Sequence, residues 1–433
     1  MKYFSLNHNA PRVSFKDAVI NGLAPDKGLY YPEHIEKLPE SFFENIEDLD
    51  HVTIAFEAIK QFIGNDISEA DLKSILKASL NFDFPIVDLQ ENLKVLELYH
   101  GPTMAFKDVG ARFMARCLGH FNPDDSKDKI TVLVATSGDT GGAVASGFLG
   151  VKGIDVVILY PSGKVSDVQE KQLTTLGQNI TALEVKGTFD DCQSMVKQAF
   201  LDHDLKSKYA LTSANSINVA RWLPQMFYYF FAYKALKCRG KELVFSVPSG
   251  NYGNICAGMM AQKLGLPVKH FVTGTNANNV VPEYLKSGHY KTISSVQTIS
   301  NAMDVGAPSN FVRIKELYHN DFELIRDNLS GYSYSDEETT AAIKHLKSRF
   351  DYTADPHGAI GYLALRDYLK THRETIGIFL ETAHPIKFLP VMPKTIAEEI
   401  DIPPQIQKLM KKEKKSKIIS TYQELKSEVL KNK

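Results

Sequence analysis

The sequence predicts an α/β protein in which buried parallel strands alternate with helices, behind a small, mainly helical N-terminal domain. Three observations carry that expectation. Short runs rich in β-branched residues at 130–134, 154–159, 243–247, 268–272 and 376–380 are bounded by Gly and Pro and separated by helix-length stretches. Such apolar runs are what strands covered on both faces look like. Gly, Ser, Asn and Thr gather directly after several of them, and open α/β sheets bind ligands at the carboxyl ends of their strands.

Residues 1–85 lack this alternation. Ser14 ahead of Phe15-Lys16-Asp17-Ala18-Val19 reads as a capped helix. A turn-rich stretch, Gly22-Leu23-Ala24-Pro25-Asp26-Lys27-Gly28, then leads into Leu29-Tyr30-Tyr31-Pro32, and amphipathic patterns at 51–63 and 68–79 predict two more helices. A chain of 433 residues exceeds what one core fills. The expected division is 1–85, then 86–390 with a smaller α/β subdomain near 125–230, then a C-terminal helical extension over 391–433. The basic run Lys411-Lys412-Glu413-Lys414-Lys415-Ser416-Lys417 is expected to be a solvated helix face or tail.

With 50 basic and 51 acidic residues, the chain has no global field to attract nucleic acid or an anionic membrane, so any anion site must be built locally. No apolar stretch approaches the roughly 20 residues of a membrane span. The N-terminus also has no apolar core of signal-peptide length. Cys117, Cys192, Cys238 and Cys256 are scattered, without CxxC or metal-like spacing. Free thiols in a reducing compartment, the cytoplasm, and no metal are expected. Composition leaves open whether the chain is a monomer or a homodimer.

Five loops carry candidate chemistry. Pro248-Ser249-Gly250-Asn251-Tyr252-Gly253-Asn254 follows one strand and opens a helix. Its glycines allow close approach and the helix N-terminus offers N–H groups to a phosphate, although an ordinary strand-to-helix turn reads equally well. Ala135-Thr136-Ser137-Gly138-Asp139-Thr140-Gly141-Gly142 offers hydroxyls and an Asp to a second anion or a carboxylate, or simply a helix cap. Tyr160-Pro161-Ser162-Gly163-Lys164 and Asn215-Ser216-Ile217-Asn218-Val219-Ala220-Arg221 bring a lysine and an arginine near loop ends, where together they would suit a second phosphate. Glu381-Thr382-Ala383-His384-Pro385 places a hydroxyl after the last strand. Upstream, Met104-Ala105-Phe106 precedes Lys107 and Asp108-Val109-Gly110-Ala111 follows it, an apolar setting that lowers a lysine's pKa and favours Schiff-base chemistry. A partly buried snorkelling lysine is the plainer alternative. No GxGxxG and no GxxxxGK[ST] occurs, which argues against a dinucleotide fold, a NAD-dependent dehydrogenase and a P-loop NTPase.

The segment 103–108, Thr-Met-Ala-Phe-Lys-Asp, resembles the pyridoxal-phosphate lysine motif of the tryptophan-synthase-β-like family, and 249–254 resembles that family's phosphate cup. Ser14-Phe15, Gly22 to Tyr30, Tyr99-His100-Gly101-Pro102-Thr103 and Ser137-Gly138-Asp139-Thr140-Gly141 are similar, in this order, to the threonine synthase family in its form with an N-terminal domain. The likeness runs from about residue 3 to about 390. It implies two open sheets flanked by helices (fold type II of pyridoxal-phosphate enzymes), with Lys107 as the Schiff-base lysine. It further implies that Gly250, Asn251, Tyr252, Gly253 and Asn254 hold the phosphate of pyridoxal 5'-phosphate and that Thr382 faces its pyridine nitrogen. Ser137, Thr140, Lys164 and Arg221 would receive the substrate. Asp139 would stand near the cofactor's phenolic oxygen, where a carboxylate is expected to be protonated or to repel the phenolate. The implied activity is conversion of O-phospho-L-homoserine and water to L-threonine and phosphate, with a phospho-lyase giving 2-oxobutyrate and phosphate as the nearest rival. A serine/threonine dehydratase would leave the extra basic residues and the N-terminal domain unexplained. A non-catalytic relative would have lost Lys107 or the cup.

Overall fold

The computed structural model describes residues 1–122, 129–237 and 240–431. The first short strands, β1 (Tyr3–Ser5) and β2 (Tyr30–Pro32), pair antiparallel. Between and after them lie the expected helices. Phe15–Asn21 is held by a reciprocal capping box between Ser14 and Asp17, His51–Ile63 is capped by Asp50, and Glu69–Ser79 is capped by Ser68. Their apolar faces join the principal core.

The larger sheet uses β3 (Ile86–Gln90), β4 (Leu93–Glu97), β9 (Leu243–Pro248), β10 (His270–Thr275), β11 (Leu329–Ser333) and β12 (Ile376–Glu381), in the order β11-β10-β9-β12-β4-β3. All its pairings are parallel except β3 with β4. The smaller sheet is parallel throughout: β5 (Ile130–Ala135), β6 (Ile154–Pro161), β7 (Ile180–Val185), β8 (Ala210–Ser213) and β13 (Ser416–Ile419), in the order β13-β7-β6-β5-β8. The expected runs at 130–134, 154–159, 243–247 and 376–380 are β5, β6, β9 and β12. The run at 268–272 starts its pairing two residues later, at His270 opposite Val244, after the Leu264–Val268 turn.

The C-terminal segment departs from expectation. It is not purely helical, and the basic run is neither helix face nor free tail. Lys415 N–H donates to Thr174 O, and the chain then enters β13, which covers the open edge of β7. Lys414 Nζ sits 2.7 Å from Glu170 and 2.6 Å from Glu184, so local charge pairing selects a strand where the basic composition alone pointed to solvent. Among the described cysteines, Cys117, Cys192 and Cys256 are buried free thiols, while Cys238 lies outside the described residues. No described helix is long and apolar enough to cross a membrane.

One buried cation ties the N-terminal segment to the loops after the strands. Arg313 is fully buried, with its guanidinium 4.3 Å from the Trp222 ring centroid. Nη1 donates to Ser216 O (3.0 Å) and Asn310 Oδ1 (2.6 Å), and Nη2 to Tyr30 O (3.1 Å) and Ile217 O (2.6 Å). A planar fork stacked on an aromatic face is geometry that an ammonium does not reproduce. Arg313→Lys should therefore keep the charge yet destabilise the protein by about 2–4 kcal/mol, through buried acceptors left without donors. Urea denaturation measures this, and a change within error of zero would refute the assignment.

Candidate active site

Lys107 is the first residue of the helix Lys107–Phe121, and three sets of contacts fix that start. Thr103 N–H and Oγ1–H donate to the buried Asp108 carboxylate at 2.9 and 2.6 Å. Phe106 N–H donates to Thr382 O at 2.9 Å, beside an antiparallel bridge between Ala105 and Ala383. Tyr228 Oη–H donates to Phe106 O. The lysine is thereby moored to the end of β12, and part of its side chain opens onto a cavity rather than onto bulk water. Among the described residues Nζ makes no hydrogen bond and no ion pair; it lies 5.0 Å from the Phe106 ring centroid. Burial lowers its pKa and Asp139 opposes the shift, while the nearby Lys387 and Arg221 reinforce it.

The cavity, about 120 Å³, is lined by Lys107, Ser137, Asp139, Thr140, Arg221, Gly250, Asn251, Tyr252, Gly253, Asn254 and Thr382 together with His357 and the turn Asn301–Met303. Of the residues singled out in the sequence, only Lys164 lies elsewhere. It is exposed and borders a second cavity of about 550 Å³, whose lining also includes Ser137, Phe189, Asn301 and Asp304 from the first.

The loop after β9 is built as an N–H cup. Tyr252 takes a left-handed conformation (φ 62°) at the N-cap of the helix Gly253–Lys263, and among the described residues the N–H groups of residues 251–254 take no protein acceptor. The side chains of this loop, however, face the protein. Asn251 Oδ1 accepts from Ser309 N–H and Oγ–H. Tyr252 Oη accepts from Thr273 Oγ1–H, and Asn254 Nδ2–H donates to Pro248 O. The cup therefore offers a ligand its backbone N–H groups, and Asn251 keeps its Nδ2 besides. Gly250 is required by packing: a Cβ there would lie 2.7 Å from Met303 Cα.

Asp139 is the one residue whose expected state needs correcting. It stands against a cation and an amide donor, which favour its ionised form. Lys387 Nζ lies 2.7 Å from its Oδ1, both side chains being almost wholly buried, and Gln169 Nε2–H donates to the same oxygen at 2.9 Å. Burial alone would raise this carboxyl's pKa, but the Lys387 and Lys107 ammonium groups outweigh it and hold Asp139 well below the usual carboxylate range. The anticipated Ser or Asp cap of the helix Asp139–Phe148 is also absent: Thr136 Oγ1 accepts from Gly138 N–H and Gly141 N–H, both at 2.9 Å, in its place. Arg221 is buried, its Nη1–H donating to Ala214 O and its Nε left without an acceptor. Burial lowers its pKa to about 10.

Sequence reasoning missed Lys387, Gln169, His357 and Asp304. Lys387 alone left a readable signal, a lysine between Ile386 and Phe388 just past the loop already singled out at Pro385. The pocket offers a lysine amine without a partner, N–H groups on a glycine-dependent cup and the side chain of the buried Arg221. That donor set fits an aldehyde bearing a phosphate, as pyridoxal 5'-phosphate does.

Asp139→Asn would strand the Lys387 ammonium in the interior and should destabilise the fold by about 3–5 kcal/mol. Because Asp139 is depressed in the folded state, its contribution should be complete above the unfolded value near 3.9 and fade as pH falls below it. Melting curves of parent and variant should therefore converge in acid. An equal gap at every pH would remove the ion pair as the cause.

Comparison with known proteins agrees with this geometry. A family model described as pyridoxal-phosphate dependent enzyme matches residues 87–379, flanked by models for the threonine synthase N terminus at 2–80 and the threonine synthase C-terminal region at 358–429. Threonine synthase of Haemophilus influenzae is 44% identical over 412 residues, covering 94% of each chain. The crystal structure of threonine synthase from Escherichia coli superposes with a TM-score of 0.92 at 40% identity, covering 100% of both chains. A pyridoxal-phosphate-bound threonine synthase from Brucella melitensis superposes with the same score at 33% identity, covering 100% of this chain and 99% of that one. Sequence likeness along nearly the whole length and the shared two-sheet fold thus coincide with the lysine and the N–H cup in one cavity: the chain belongs to the threonine synthase family of pyridoxal-phosphate-dependent enzymes.

Proposed function

We propose that the chain converts O-phospho-L-homoserine and water to L-threonine and inorganic phosphate in the cytoplasm, with pyridoxal 5'-phosphate joined to Lys107. The observation that carries the reading is the unpaired Lys107 amine beside an N–H cup whose donors take no protein acceptor. The cofactor, when bound, supplies the electron sink that makes protons next to the substrate's amino group removable.

The residues supply the rest. The N–H groups of Gly250 to Asn254, at a helix N-terminus, hold the cofactor phosphate by hydrogen bonding and dipole. Thr382, in the lining of the cavity, would offer the pyridine nitrogen a hydroxyl and not a carboxylate, which would not stabilise a protonated ring. Lys107, its pKa lowered by burial, is the amine that takes and returns protons at the substrate's α- and β-carbons. Ser137 and Thr140 receive the substrate's carboxylate beside it. Arg221, with its orphaned Nε, and Lys164, at the rim of the adjoining cavity, stabilise charge on the departing phosphate. Asp139, neutralised by Lys387, presents no net repulsion to an anionic ring oxygen. Buried free thiols at Cys117, Cys192 and Cys256 support a reducing setting.

Lys107→Ala should reduce turnover by about a thousandfold or more and abolish the yellow absorbance of the purified protein. A yellow, active variant would refute the role of Lys107. With the parent enzyme, threonine should appear in step with phosphate; phosphate with 2-oxobutyrate would instead identify a phospho-lyase.

A further inference from the structure

Behind Thr382 lie two buried carboxyl groups that the proposed mechanism does not use. Asp355 caps the helix Pro356–Leu369: its Oδ1 accepts from His357 N–H, from Gly358 N–H at 3.2 Å and from His357 Nδ1–H at 2.8 Å. Glu381 ends β12, and its Oε1 accepts from Asp355 N–H at 2.7 Å. Both side chains are fully buried, and the second oxygen of each, Asp355 Oδ2 and Glu381 Oε2, has no donor. Glu381 Oε2 fills the space left by Gly358, where a Cβ would lie 1.7 Å from it. Among the described residues, neither carboxyl pairs with a lysine or arginine. Two neighbouring carboxylates without a cation cannot both stay ionised in the interior. Asp355, with three donors on one oxygen, is the better satisfied anion, and Glu381 the natural acid.

The consequence reaches the cavity. With Asp355 ionised, His357 keeps its proton on Nδ1, and its Nε2 accepts from Ala302 N–H at 3.2 Å. Ala302 belongs to the turn Asn301–Met303, which lies against Gly250 of the cup. We propose that Asp355 and Glu381 share one proton, carried by Glu381, and that this proton makes His357 the positioning residue that holds the Asn301–Met303 turn across the phosphate cup. Burial and the Asp355 charge both push the Glu381 pKa far up, in accord with this placement. The other titratable groups facing the pair are Glu97 and Tyr99 near the end of β4, Tyr352 ahead of the helix, His384 beyond β12 and Lys107; Asp304 faces His357. Glu97 would be raised by burial, but hydrogen bonds from His100, Tyr99 and Tyr352 keep it low, and its charge further favours the acid form of Glu381.

The link to cofactor binding rests on the proposed reading of the cup; the shared proton does not. Two measurements separate them: unfolding of the cofactor-free protein against pH, and the Kd for pyridoxal phosphate by absorbance. Glu381 is raised in the folded state, so its contribution is full below its unfolded value and is lost as pH rises toward the folded one. Glu381→Gln carries the donor permanently. The ratio of parent to variant unfolding constants should therefore rise about tenfold per pH unit above roughly pH 5. A pH-independent ratio would overturn the shared proton. Asp355→Asn and His357→Ala should weaken cofactor binding by about tenfold, the equivalent of one buried hydrogen bond. His357→Gln, which restores an acceptor for Ala302 N–H, should recover most of that loss. Unaltered affinity in His357→Ala, or no recovery in His357→Gln, would overturn the positioning role. If the parent binds no pyridoxal phosphate, the cup reading and the positioning role fall together, while the unfolding ratio still decides the proton.

Discussion

A lysine side chain kept unpaired inside a protein constrains everything around it, because any free carboxylate within reach would close an ion pair with it. Lys107 meets that constraint with neighbours that already have partners. The nearby acid, Asp139, is engaged by Lys387 at 2.7 Å and by Gln169. Asp108, the next residue in sequence, is engaged by both donors of Thr103. Arg221 and Lys387 then act on Lys107 as cations, reinforcing what burial begins. The ion pair between Asp139 and Lys387 is thus less a source of stability, given the desolvation it demands, than a way to let an acid stand near the amine without capturing it.

Holding those pairs in register falls to contacts far from the amine. Arg313 joins the backbone of Tyr30 to that of Ser216 and Ile217, and through Asn310 reaches Ser216 again. Asn251 in the cup is bonded to Ser309, next to Asn310. The N-terminal segment therefore braces the wall of the site through Arg313, with Asn218 Nδ2–H and Thr212 Oγ1–H donating to Val19 O beside it, and the strand-end loops are bonded to one another. Loops built this way give a ligand a preformed surface, with less ordering to be done on binding.

What the sequence revealed follows from how local each signal is. The runs that became β5, β6, β9 and β12 are continuous and apolar, and the Ser14 and Ser68 caps are encoded within a few residues. β3 was missed because Asp88 and Gln90 interrupt it, and β13 because two lysines flank and enter a strand that exists only when β7 is there to receive it. The site was legible as loops, since glycines and hydroxyls after a strand are a sequence pattern. Which groups face inward was not. Tyr252 and Asn254 turn their side chains into the protein, and the pairing of Asp139 with Lys387 joins positions with no sequence relation. His357 and Glu381 carry no signal, because their meaning depends on a carboxyl brought in from another element.

The last strand of the smaller sheet has a temporal meaning as well as a spatial one. Glu184 and its partner Lys414 are 230 residues apart, a length that a ribosome adds in about 10–50 s. Through that interval β7 is made but lacks its neighbour, leaving a row of backbone donors and acceptors open to any other extended chain. The larger sheet is likewise unfinished until β12 arrives between β4 and β9. Both halves of the molecule therefore close late and nearly together, and neither sheet has its full set of pairings until β12 and β13 have been made.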